Sequence, residues 1–147
     1  MKQTVTVLVG NVGSGKSKFY EDNFDPGTDV RISQDLLGSK DACIDTMRAV
    51  LETGGSVVID RVNFNQKQRK TWIDIANEFE AEAHAVYLYA PINVCYERLL
   101  NRKGHETIPE DMSNQRKMEI IEQFNKTLTT PSLAEGFKSI IMLRNYV

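Results

Sequence analysis

A chain of 147 residues with 41% hydrophobic and 26% charged content has the size of one compact domain with a single core, and is too short for two catalytic domains. Its net charge of −2 excludes a protein that coats nucleic acid or membranes non-specifically, though not one that grips a strand end through a local basic patch. There is no signal-type leader and no apolar run of membrane-spanning length, and Cys43 and Cys95 lack metal-ligand spacing, so the expectation is a soluble cytoplasmic protein with reduced core cysteines.

The apolar run Val5-Thr6-Val7-Leu8-Val9 predicts a buried strand. It leads into Gly10-Asn11-Val12-Gly13-Ser14-Gly15-Lys16-Ser17, a complete G-x-x-x-x-G-K-S loop, and then a helix opening over 16–22. In that strand–loop–helix setting the glycines let backbone N–H groups converge on a phosphate chain, and the helix N-terminus adds partial positive charge at the same point. Lys16 is placed to reach the β- and γ-phosphates, and the Ser17 hydroxyl to ligate Mg²⁺. A nucleoside triphosphate is the implied ligand.

A second strand is expected over Asp29–Ser33, then a helix over Asp41–Thr53 with Ile44, Met47, Val50 and Leu51 at helical spacing, closed by Gly54-Gly55. Ser56–Asp60 reads as a strand, apolar until its last residue. Gln66–Phe79 is an amphipathic helix, Ala85–Tyr89 a strand, and Ile92–Lys103 a helix. Another helical pattern starts near Pro109 and runs through Phe124, and Ser139–Leu143 is a fifth strand. Strands separated by helical crossovers predict an α/β fold, a five-stranded parallel sheet covered on both faces. Ligands of such a sheet sit at the carboxyl ends of the strands.

Three polar clusters fall at those ends: the glycine loop, Ser33-Gln34-Asp35, and Asp60-Arg61-Val62-Asn63. Asp35 reads either as a general base for an acceptor hydroxyl or as an N-cap of the following helix. Asp60 closes an apolar strand and needs a partner, which can be Mg²⁺-bound water, an acceptor hydroxyl, Arg61 or a backbone N–H. Arg98 and Arg102 share a helix face ahead of the polar stretch Gly104-His105-Glu106-Thr107. They fit a lid over the phosphates, approximately residues 98–110, or an ordinary basic face at a helix C-terminus. Lys67, Arg69 and Lys70 are candidates for a polyanionic acceptor or for a solvated surface.

These motifs together resemble the kinase domain of the polynucleotide kinase/phosphatase family, a P-loop kinase fold. The family's Asn-Arg-Asp motif falls on Ser33-Gln34-Asp35, and its Asp-x-Thr-Asn motif on Asp60-Arg61-Val62-Asn63. Its paired lid arginines fall on Arg98 and Arg102, and a loop near the nucleotide base on Thr130 to Phe137. The resemblance covers nearly the whole chain and implies one P-loop kinase domain over 1–147 with a helical lid. It implies ATP and Mg²⁺ as cofactors, Lys16, Asp35 and Arg102 as catalytic residues, and Gly10, Gly13, Ser14, Gly15, Ser17 and Arg98 as the rest of the donor site. It also implies Asp35, Asp60, Arg61 and Asn63 as contacts to a nucleic acid acceptor. Gln34 and Arg61-Val62 depart from the family pattern, both on the acceptor side, while the donor side is intact. No phosphatase-type motif is present.

The activity this implies is transfer of the ATP γ-phosphate to a hydroxyl on DNA or RNA, foremost the 5′-OH end. Alternatives are a hydroxymethylated base within DNA, a small metabolite, or a nucleotide-responsive binding module without transfer. Oligomeric state is not legible.

Overall fold

The computed structural model describes residues 2–101 and 112–146. Strand β1 (Thr4–Val9) runs through the glycine loop into helix α1 (Lys16–Asn23), followed by β2 (Asp29–Ile32), a one-turn helix α2 (Gln34–Leu37) and α3 (Lys40–Glu52). Then come β3 (Ser56–Asp60), α4 (Gln66–Glu78), β4 (Glu82–Tyr89), α5 (Ile92–Asn101), α6 (Asn114–Thr127), a short 3-10 turn at Leu133–Glu135, and β5 (Ser139–Arg144). The five strands form one sheet in the order β2-β3-β1-β4-β5, all neighbours parallel.

Alternate residues of the strands supply the two faces. On one face Val5, Val7, Val9, Val57 and Ile59 pack with Met47 of α3 and Trp72 and Ile73 of α4. On the other, Leu8, Val58, Val86 and Leu88 pack with Phe19 and Tyr20 of α1. A third apolar cluster joins α5 and α6 to the glycine loop through Cys95, Leu99, Ile121 and Val12. The three-layer α/β architecture expected from the sequence is the observed one.

Several boundaries differ from the sequence reading, most by one residue; the larger shifts are in β4 and α6, and β2 gives way to a helical turn. β2 stops at Ile32 because Ser33 becomes the N-cap residue of α2, and Gly38, at φ 93°, ends that turn in the left-handed region. β4 begins three residues before Ala85, since parallel pairing of Thr4 with Glu82 outweighs the polar side chains of Glu82 and His84. α6 starts at Asn114, where the Ser113 hydroxyl accepts the Arg116 N–H at 3.1 Å. It then continues past Phe124 to Thr127. Pro109 and Arg102, with most of the expected lid, lie outside the described residues.

Sheet order positions the site. β1 lies between β3 and β4, and Leu8 pairs in register with Asp60. The carboxylate closing β3 therefore stands beside the root of the glycine loop, although 43 residues separate Asp60 from Ser17.

Candidate active site

The glycine loop has the backbone that its sequence predicts. Gly13 and Gly15 have φ of 81° and 105°, and a Cβ on Gly13 would stand 2.7 Å from the Cys95 carbonyl oxygen. A side chain is thus excluded by both conformation and space. The loop is anchored on two sides: Gly10 N–H donates to Val62 O at 3.1 Å, and the Asn11 amide donates to Ile121 O at 2.9 Å. Lys16 Nζ donates to the carbonyls of Gly10 (2.9 Å) and Asn11 (2.8 Å), which holds the ammonium against the loop. Arg98 Nη1 donates to Gly13 O at 3.1 Å, so the structure brings this arginine of α5 onto the loop. Ser14 Oγ is buried and has no hydrogen-bond partner among the described residues.

Below the loop, Ser17 Oγ donates to Asp60 Oδ2 at 3.1 Å. The partner of Asp60 is Arg31 rather than Arg61, with Arg31 Nε at 2.8 Å from Oδ2 and its Nη2 donating to Ser17 Oγ at 3.0 Å. Arg31 was missed from sequence. Its signal was a charge between Val30 and Ile32 in a four-residue strand, which calls for a carboxylate on the neighbouring strand. The Asp60 side chain is only 5% exposed, and the guanidinium neutralises it there.

A cleft of about 330 Å³ opens over this triad, lined by Gly13, Gly15, Lys16 and Ser17 on one side and by Gln34, Asp35, Asp60, Arg61 and Phe64 on the other. Asp35 is exposed within α2 and lines the cleft. It caps no helix: Ser33 holds the cap position of α2, and the Ser39 hydroxyl caps α3. Phe64 and Phe124, ring centroids 5.6 Å apart, supply an aromatic wall.

The structure redirects two residues. Asn63, expected to touch the acceptor, commits its amide inward. Its Nδ2 donates to Leu8 O at 2.7 Å, and its Oδ1 accepts Trp72 Nε1–H at 2.8 Å. At φ 50° it pins the loop after β3, and it also lines the cleft. Arg69, read as a contact to a polyanionic acceptor or as solvated surface, is 1% exposed and pairs with Glu135, also donating to Asn63 O and Thr129 O. The segment from Thr130 to Phe137 is thereby braced against α4, and none of its residues lines the cleft. Lys67 and Lys70 remain exposed.

The donor set fits a nucleotide and its metal. The cradle excludes side chains at two glycines, an orphaned hydroxyl sits within it, and Ser17 offers a hard oxygen of the type Mg²⁺ takes, with the Asp60 carboxylate hydrogen-bonded behind it. Residues 39–128, more than half of the chain, match the family model AAA_33, described as an AAA domain.

The chain belongs to this AAA domain family.

The match begins beyond the glycine loop, so the loop assignment rests on the geometry above. The chain is 32% identical over 140 residues to the bifunctional polynucleotide phosphatase/kinase of Schizosaccharomyces pombe, covering 94% of this chain and 33% of that protein. It is 34% identical over 149 residues to the transcription factor bHLH140 of Arabidopsis thaliana, covering 95% of this chain and 16% of that one. The chain thus spans a third or less of these relatives. Among solved structures, a fungal RNA kinase superposes with a TM-score of 0.76 at 16% identity, covering 96% of this chain and 74% of that one. That likeness, and the sheet order, establish a P-loop kinase-type fold. No helix among the described residues is long and apolar enough to cross a membrane.

Proposed function

We propose that this domain is an ATP-dependent phosphotransferase acting on a nucleic acid hydroxyl, foremost the 5′-OH end. The observation that carries the reading is one cleft in which the glycine loop, Ser17–Asp60 and Asp35 face a common space. The polynucleotide phosphatase/kinase similarity supports the choice of acceptor.

In this mechanism Lys16, Arg98 and Arg102 hold and neutralise the β- and γ-phosphates, with loop N–H groups completing the cradle. Ser17, with Asp60 behind it, holds Mg²⁺, which when bound spreads the charge developing on the transferred group. Asp35 accepts the proton of the acceptor hydroxyl while that oxygen bonds to the γ-phosphorus. The bond from the γ-phosphorus to the β–γ bridging oxygen breaks, and ADP leaves with that electron pair. Positioning supplies much of the rate, since the acceptor and the phosphorus are held in one cleft. Two buried free thiols, Cys43 and Cys95, suit the reducing cytoplasm in which we place the protein.

Transfer from γ-labelled ATP tests this reading. Oligonucleotides with free 5′-OH ends should be labelled, and those with phosphorylated ends or closed circles should not. Labelling of circles carrying hydroxymethylated bases, with none on 5′-OH ends, would move the acceptor to the base. Labelling of neither polymer would move it to small molecules.

A further inference from the structure

Arg61 carries a half-buried guanidinium that faces no carboxylate within ion-pair distance among the described residues. Its two fixed contacts are neutral. The guanidinium carbon lies 5.8 Å from the Trp72 ring centroid, and Nη2 donates to Gln34 Oε1 at 2.7 Å. Nη1 is buried and has no hydrogen-bond partner among the described residues. A guanidinium taken out of water without an anion is costly, and an orphaned N–H adds to that cost.

The surroundings deepen the imbalance. Burial lowers the Arg61 pKa, and Lys40 is lowered by its own burial and then by the charges of Arg61 and Lys67. Lys40 sits at the start of α3 and reaches Gln68 Oε1 at 3.5 Å, on the cleft wall. Arg61 lines the cleft and Lys40 reaches it through Gln68, with Lys67 nearby; Asp35 acts on Arg61 and Asp41 on Lys40 as the opposing carboxylates.

We propose that Arg61 is the acceptor's phosphate clamp: it binds the phosphodiester next to the hydroxyl being phosphorylated, with Lys40 and Lys67 drawing the strand in. This deepens the proposed function and rests on it. The guanidinium is a fixed, always charged donor for a phosphate oxygen. That oxygen takes Nη2 from the exposed Gln34 amide, while Nη1 stays buried behind it. Gln34 holds the fork in orientation until then, and being neutral it yields to an anion where a carboxylate would not. Gln34, where the family pattern has Arg, and Arg61, at the variable position of the second motif, thus act as one device.

The test uses 5′-OH oligonucleotides whose first internucleotide linkage is either a normal phosphodiester or a neutral methylphosphonate. For the wild-type protein, the charged linkage should be preferred roughly ten- to a hundredfold in kcat/KM, the scale of a hydrogen bond to a charged group. Arg61→Gln should bring that ratio close to one and leave the KM for ATP unchanged. Equal use of both linkages by the wild type, which needs no variant to fold, overturns the proposal. So does an Arg61→Gln protein that keeps the preference, or one that loses ATP affinity instead, which would make Arg61 a donor contact. Fluorescence anisotropy with the same two oligonucleotides separates this proposal from the functional reading. If nothing is phosphorylated but the charged linkage still binds tighter through Arg61, the transfer reading fails and the clamp stands. Equal binding overturns the clamp.

Discussion

Arg69 and Glu135 form a two-point ion pair across 66 residues of sequence, Nε to Oε1 at 2.7 Å and Nη2 to Oε2 at 3.2 Å. Both side chains are almost fully buried, 1% and 4% exposed. The remaining Arg69 donors hold Asn63 O and Thr129 O, and Glu135 Oε2 also accepts the Ser132 N–H at 2.7 Å. This pair sets the loop after β3 from behind, and so fixes the wall that carries Arg61 and Phe64. Glu135→Gln leaves a buried guanidinium without its charge partner and should lower stability by about 3–5 kcal/mol. A urea midpoint unchanged from wild type would show that the pair does not brace the loop.

Lys16→Ala should lower transfer by at least about 10²-fold, the scale for removing one preorganised electrostatic group. The fold should survive, because the loop is held by Gly10 N–H and the Asn11 amide rather than by the ammonium alone. The check is transfer rate beside a thermal melt. Wild-type turnover would refute the donor-site assignment.

Asp35→Asn should lower kcat by roughly 10²–10⁴-fold, the range for a lost general base. ATP affinity and stability should stay as in wild type, since Asp35 caps no helix and is exposed. Single-turnover transfer and ATP titration separate the two effects. An unchanged kcat would leave the base unassigned.

The Ser17–Asp60–Arg31 triad predicts a metal-specific defect. Asp60→Asn should weaken Mg²⁺-dependent ATP binding by roughly 10–100-fold, as loss of an outer ligand-orienting group does. Binding measured in excess chelator should change far less. Equal losses with and without the metal would mean that Asp60 orders the loop and takes no part in holding Mg²⁺.

Both thiols should resist alkylation. Burial raises the pKa of Cys43 and of Cys95, so little thiolate is present at neutral pH, and access requires opening of the core. Labelling should speed up as pH rises and as denaturant opens the core. Cys95, whose carbonyl abuts Gly13, should be further protected by ATP. Fast labelling in buffer would contradict this packing.

Local pattern made much of this protein legible. Glycine and lysine spacing located the phosphate loop, because Gly13 and Gly15 need a backbone few other residues adopt. Two-sided apolar runs located the strands, and helical spacing of Met47, Trp72 and Ile121 located the packed faces. Asp35 and Asp60 were found because each follows or closes a strand beside that loop. The starts of β4 and α6 were not, since strand pairing with Thr4 and the Ser113 cap override local hydrophobicity.

Which charges meet was decided only by the tertiary structure. Asp60 pairs with Arg31 across 29 residues, Arg61 meets Gln34 across 27, and Arg69 finds Glu135 across 66. Sequence spacing left Asp60 several partners, Arg61 among them, and left Arg69 to an acceptor or to open water. The parallel register sets β2, β3 and β1 side by side with their carboxyl ends level, which brings Arg31 to Asp60 and α2 to Arg61, while Arg69 of α4 meets Glu135 of the 3-10 turn. Pairing energy depends on distance and burial, and neither exists until the sheet has formed.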